Sequence, residues 1–123
     1  MCQKSLSLKN LKKVNNMSQK ILQINVNTSV PKAELEQGWL KAAEAIAEQD
    51  GLIWKIWIIN EETEEAGGWY LFESEDHAQA YLDGELVAAF RNNPLFRNIS
   101  AKLYDPVLSP TEITRGLAAL NAR

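Results

Sequence analysis

Apolar and polar residues alternate over Lys20–Asn27. Leu22, Ile24 and Val26 fall on one side and Gln23, Asn25 and Asn27 on the other, the period-two signature of a half-buried strand. The period then lengthens. Leu35, Trp39, Ala42, Ala43 and Ile46 recur at helical spacing, after Ser29 and a Pro31 suited to a first helical turn. Asp50-Gly51 supplies the stop, because glycine takes the left-handed conformation readily. Two apolar runs, about Leu52–Ile59 and about Gly67–Glu73, read as strands joined by a polar turn with four glutamates. Ser74 is a good N-cap, with Glu75 and Asp76 at the positive end of a second helix. Ala78, Tyr81 and Leu82 form its buried side, Gly84 interrupts it, and a further helical piece spans about Glu85–Arg91. Ile99–Asp105 alternates again, with Ala101 and Leu103 opposed to Lys102 and Tyr104. Ser109-Pro110-Thr111-Glu112 has the form of a capping box, with Leu108 and Ile113 placed as a hydrophobic staple. A final helix presenting Ile113, Leu117 and Leu120 is predicted to follow.

The order is β-α-β-β-α-β plus a C-terminal helix. It predicts an α+β, ferredoxin-like domain, an antiparallel sheet with helices on one face. Residues 17–123 are expected to form this single domain. Residues 1–16 are expected to be a tail without its own fold, either an extension upstream of a start at Met17 or a basic arm.

Charge sharpens this division. The 123 residues carry a net charge of −3, but Lys4, Lys9, Lys12 and Lys13 give residues 1–16 a charge of +4, leaving −7 on the rest. An acidic body argues against nucleic acid as a partner, since phosphate binding needs a basic surface. Cys2 is the single cysteine, so no intramolecular disulfide forms, which fits a cytoplasmic protein. No apolar run is long enough to span a membrane.

Candidate chemistry concentrates in the middle strands. Three of four tryptophans, Trp54, Trp57 and Trp69, lie there, and Lys55 interrupts an otherwise apolar run. Alternation puts Lys55 and Trp57 on one face and Trp54 and Ile56 on the other. Because a lysine is costly in a helix-packed core, Lys55 and Trp57 are expected on the open face with Gln23, Asn25, Lys102 and Tyr104. Tyr70 and Phe72 are expected there too, with Trp69 and Leu71 as the alternative, and Trp54 is expected under a helix. Such an aromatic face suits a homodimer in which two sheets enclose apolar cavities. A single histidine and a single cysteine cannot build a conventional zinc or non-haem iron site. His77 is expected to be an exposed bystander and the glutamate turn to be solvated.

The stretch Gly51–Leu82, with GLIWKIW, EAGGWYLF and AYL, resembles the YdhR-like monooxygenases, as does Ala101–Asp105 followed by Leu108-Ser109. The resemblance covers about residues 20–120. It implies a dimeric α/β barrel of the antibiotic-biosynthesis-monooxygenase superfamily, some members of which oxygenate polycyclic phenols or anthrones without metal, flavin or haem. On that basis the chain is expected to be a cofactor-independent monooxygenase acting on a small aromatic or polycyclic phenol, the alternative being a non-catalytic small-molecule binding protein. Lys55 would stabilise an anion or peroxide, Tyr70 and Asn25 would complete the catalytic set, and Trp57, Phe72, Trp54, Tyr104 and Lys102 would hold the substrate. An interface salt bridge is the competing role for Lys55. A haem-degrading branch is disfavoured: Asn25 matches its asparagine, but Phe72 stands where its tryptophan belongs and His77 lies too early in its helix.

Overall fold

A computed structural model describes residues 18–122; expectations for residues 1–16 lie outside them. Strands β1 (Lys20–Asn27), β2 (Leu52–Asn60), β3 (Glu65–Phe72) and β4 (Arg97–Tyr104) form one antiparallel sheet in the order β2-β3-β1-β4. Helices α1 (Lys32–Ala47), α2 (Glu75–Leu82) and α3 (Glu85–Arg91) pack against one face. This is the expected ferredoxin-like α+β arrangement.

The register fixes which side chains meet the helices. Leu22 lies opposite Tyr70 and Leu103, Ile24 opposite Gly68 and Ala101, and Lys20 opposite Phe72. On the outer side of β3, Lys55 pairs with Tyr70 and Trp57 with Gly68. Leu22, Ile24, Tyr70 and Phe72 therefore share the helix face, where they form the main core with Ile46, Ala78, Tyr81 and Val87. A second cluster of Val26, Leu35 and Ala66 closes the end beneath α1.

Local chemistry explains the joints. Ser74 caps α2 by accepting from the His77 backbone N–H at 3.2 Å, and a break at Gly84 separates α2 from α3. Helix α1 ends at Ala47, ahead of Asp50-Gly51, whose glycine has φ +80° in the turn into β2. Its missing Cβ also makes room for the His77 ring, which such an atom would approach to 2.2 Å.

The glutamate turn does more than sit in water. Glu61 Oε2 accepts from the Lys32 N–H at 2.8 Å, satisfying one of the orphan donors of α1 where Pro31 has no side chain to offer. Glu64, at φ 56°, accepts from the Thr28 N–H through its carbonyl and from Ser29 and Arg97 through its carboxylate.

The C-terminus departs from expectation. In place of one capped helix there are two short ones, α4 (Leu108–Ile113) and α5 (Leu117–Leu120), separated by Arg115 at φ 70°. Ser109 makes no cap, since α4 begins one residue earlier after Val107. Leu108 and Ile113 are both exposed, so the staple does not form. Leu120 is buried instead, and the Trp54 indole N–H donates to the Ala119 carbonyl at 2.6 Å. No helix among the described residues is long and apolar enough to cross a membrane.

Candidate functional site

A cavity of about 370 Å³ opens between the sheet and the helices of a single chain. Its floor is Ile24, Lys55, Trp57, Gly68 and Tyr70; α1 contributes Leu35, Gly38, Trp39, Ala42 and Ile46. Tyr81 of α2, Val87 and Phe90 of α3, and Asn93, Leu95 and Phe96 of the following loop complete it. This space lies within one chain, on the helix side of the sheet, and is distinct from the cavity expected between two facing sheets.

The expected face of Lys55, Trp57, Tyr70 and Phe72 is corrected. All four point toward the helices. The cost of burying a lysine was the reason for placing Lys55 outside, but the space beneath α1 is hollow, so the amine meets a cavity and ring faces rather than close-packed core. Lys55 therefore cannot form a salt bridge across the open face. Gly68 makes the geometry possible, because a Cβ there would lie 2.5 Å from Lys55 Cε. Over this gap the Lys55 stem crosses toward Trp57, and Nζ stands 3.3 Å from the Trp57 ring centroid and 4.5 Å from that of Tyr70. Desolvation brings its pKa down from 10.5 to about 7. The ring faces offer a cation partial compensation for lost water.

The rest of the lining mixes aromatic and aliphatic side chains. Trp39 and Trp57 meet at 5.1 Å and 44° between their planes, and Phe90 and Phe96 at 4.7 Å. The Tyr70 and Tyr81 hydroxyls are 3.1 Å apart. Burial first, then the charge and hydrogen bond of Tyr81, push the Tyr70 phenol up, and burial does the same to Tyr81. Both stay protonated at neutral pH. One hydroxyl donates to the other, leaving one O–H free to donate elsewhere.

The structure brings together Lys55, Trp57 and Tyr70 and separates them from the other predicted residues. Phe72 is fully buried beneath Tyr70 and Tyr81 and does not line the cavity. Asn25 and Lys102 lie on the opposite sheet face, as the pairings Asn25–Ser100 and Gln23–Lys102 require. Tyr104 is there too, 47% exposed. Trp54, expected under a helix, also faces that side and is held by α5. Sequence reasoning missed Trp39 and Tyr81 as site residues. Both carried a signal, being the large aromatic members of helix stripes read as plain core. His77 lies away from the cavity, with Nδ1 2.8 Å from Ser74 Oγ. Among the described residues, no three His, Cys, Asp or Glu side chains group as a metal site would require.

Comparisons with known proteins agree with this architecture. Residues 21–117 match the family model described as "Putative mono-oxygenase ydhR". A protein of unknown function from Nitrosomonas europaea has a similar structure, with TM-score 0.62 and 17% identity over 76% of this chain and 94% of that one. SnoaB, a cofactor-independent oxygenase from Streptomyces nogalater, gives TM-score 0.59 and 14% identity over 75% of this chain and 98% of its own. The heme-degrader MhuD of Mycobacterium tuberculosis, solved with two hemes in its active site, gives TM-score 0.54 and 24% identity over 72% and 97%. At these identities the structural likeness shows the fold alone. A search of curated proteins finds no significant match.

Proposed function

The chain belongs to the ydhR mono-oxygenase family, and from that premise we propose that it oxygenates a small, planar, electron-rich aromatic molecule inside the cavity of each protomer, without a cofactor. The observation that carries this reading is Lys55, a poorly solvated amine aimed into a largely apolar cavity with Trp57 and Tyr70 beside it. Desolvation lowers the amine's pKa to about 7, which makes free base available near neutral pH, where general-base catalysis works best.

The chemistry follows from the walls. A ring system lies in the cavity against the Trp39–Trp57 pair and within reach of Lys55. Lys55 takes a proton from an acidic phenol or ring methylene, and the ammonium it becomes stands beside the new anion. That electron-rich anion reduces molecular oxygen. When a methylene becomes a carbonyl, one oxygen atom stays in the product and the other leaves as water with the two methylene hydrogens, so the substrate supplies all the electrons. The free hydroxyl of the Tyr70–Tyr81 pair donates to a developing oxyanion. The apolar walls keep water from competing.

In the same reading a second copy covers the open sheet face, giving a homodimer, and Asn25, Lys102, Tyr104 and Trp69 belong to that contact rather than to the chemistry. The test is oxygen consumption by metal-stripped protein against anthrones, quinols and polyphenols. Uptake well above autoxidation, lost by about a hundredfold or more in Lys55→Met as general-base removal predicts, supports the oxygenase. Saturable tryptophan quenching by the same compounds with no uptake replaces it with a binding protein on the same scaffold.

A further inference from the structure

The cavity holds a primary amine with no carboxylate against it. Of the lining residues Glu34 alone is acidic, and it lies exposed in the first turn of α1. Among the described residues Lys55 makes neither an ion pair nor a hydrogen bond. Its stem is confined where Gly68 leaves space, so the nitrogen reaches whatever occupies the chamber above Trp57.

We propose that Lys55 is also a nucleophile, capturing planar apolar aldehydes and ketones as an imine within the cavity. The nitrogen lone pair forms the C–N bond to the carbonyl carbon. The carbonyl oxygen departs as water with the two amine hydrogens, so amine and carbonyl become imine and water with no oxidant or reductant. The protonated imine is again a cation, and the Trp57 and Tyr70 faces that receive the ammonium at 3.3 and 4.5 Å receive it equally well. Desolvation supplies the reactive form, as apolar pockets do for amine nucleophiles generally. A chamber of about 370 Å³, lined by aliphatic and aromatic side chains, selects a flat apolar carbonyl over a sugar or other hydrated one. The reaction shares the cavity and Lys55 with the proposed oxygenation but consumes no oxygen.

The experiment incubates the full chain with 2-naphthaldehyde and cyanoborohydride at neutral pH and locates the reduced adduct by intact mass and peptide mapping. Labelling of Lys55 is expected to exceed that of exposed Lys32, Lys41 or Lys102 by at least about tenfold, since free base is far scarcer on an ordinary lysine. Lys55→Arg should lose this adduct and keep the slow surface labelling. Glyceraldehyde should show no preference for Lys55. If Lys55 reacts no faster than the exposed lysines while 2-naphthalenemethanol, the matching alcohol, quenches tryptophan saturably, the inference is overturned. If the alcohol fails to bind as well, the chamber does not admit such rings and the oxygenase reading falls with it. Oxygen uptake without labelling removes the imine alone; labelling without uptake removes the oxygenase alone.

Discussion

At the scale of one residue, Lys55 sets function against stability. Its amine has a pKa of about 7 in the folded chain against 10.5 in water. Below pH 7 both folded and unfolded states carry the proton, and the cost of burying the charge is borne in full. From about 7 to 10.5 the unfolded chain binds a proton that the folded chain does not, so stability rises with pH across that window. Lys55→Met, similar in length and apolar, removes the group responsible. The variant is expected to melt higher than the wild type near about pH 6, with the gap narrowing steadily toward about pH 10. Melting curves across that range check it, and a gap independent of pH would show that the amine is well solvated. A buried amine that costs stability is one whose presence calls for a role in chemistry.

At the scale of elements, α1 carries a second such position. Gly38 sits inside the helix, lines the cavity, and a Cβ there would meet nothing within 4 Å. Glycine in a helix interior costs up to about 1 kcal/mol relative to alanine, and no packing need offsets it. Gly38→Ala should therefore stabilise the fold by up to about 1 kcal/mol in urea titrations, while Gly68→Ala, which drives an atom against the Lys55 stem, should not. A destabilised Gly38→Ala would mean that α1 closes onto the sheet more tightly than described. The same elements show what was legible beforehand. The faces of β1 and β4 could be read because Leu22, Ile24 and Val26, and likewise Ala101 and Leu103, alternate with polar residues. In β2 and β3 both faces are apolar, as Trp54-Lys55-Ile56-Trp57 and Trp69-Tyr70-Leu71-Phe72 show, so alternation gave pairs of residues but not their side. Lys55 then tipped the choice the wrong way, because a cavity beneath α1 arises from the spacing of whole helices and leaves no mark in the local pattern. Gly68, opposite Trp57, was the nearest clue: a glycine between aromatics in a central strand signals a close approach.

At the scale of the molecule, the open sheet face remains to be accounted for. Trp69 is 44% exposed and Ile56 56%, and the two lie side by side across β2 and β3. Ile58 and Tyr104 are also exposed. Exposed apolar side chains grouped on one sheet face mark a contact surface, one that a second copy of the sheet can meet. About a two-fold axis each side chain enters the contact twice, once from each protomer, so one substitution acts with doubled effect. Trp69→Glu would bring two carboxylates into an apolar contact while leaving the cavity untouched on the other side of the sheet. The expected result is a dimer for the wild type and a monomer for the variant in sedimentation experiments at micromolar concentration, with the circular dichroism of the fold and ligand quenching in the cavity preserved. A wild type that sediments as a monomer, or a variant that stays dimeric, would refute the proposed pairing. Loss of cavity binding together with the dimer would instead mean that the open face governs the chamber through the sheet. The two faces share β1, β2 and β3, so a partner pressed against Trp69 is one strand-thickness from Tyr70 and Lys55.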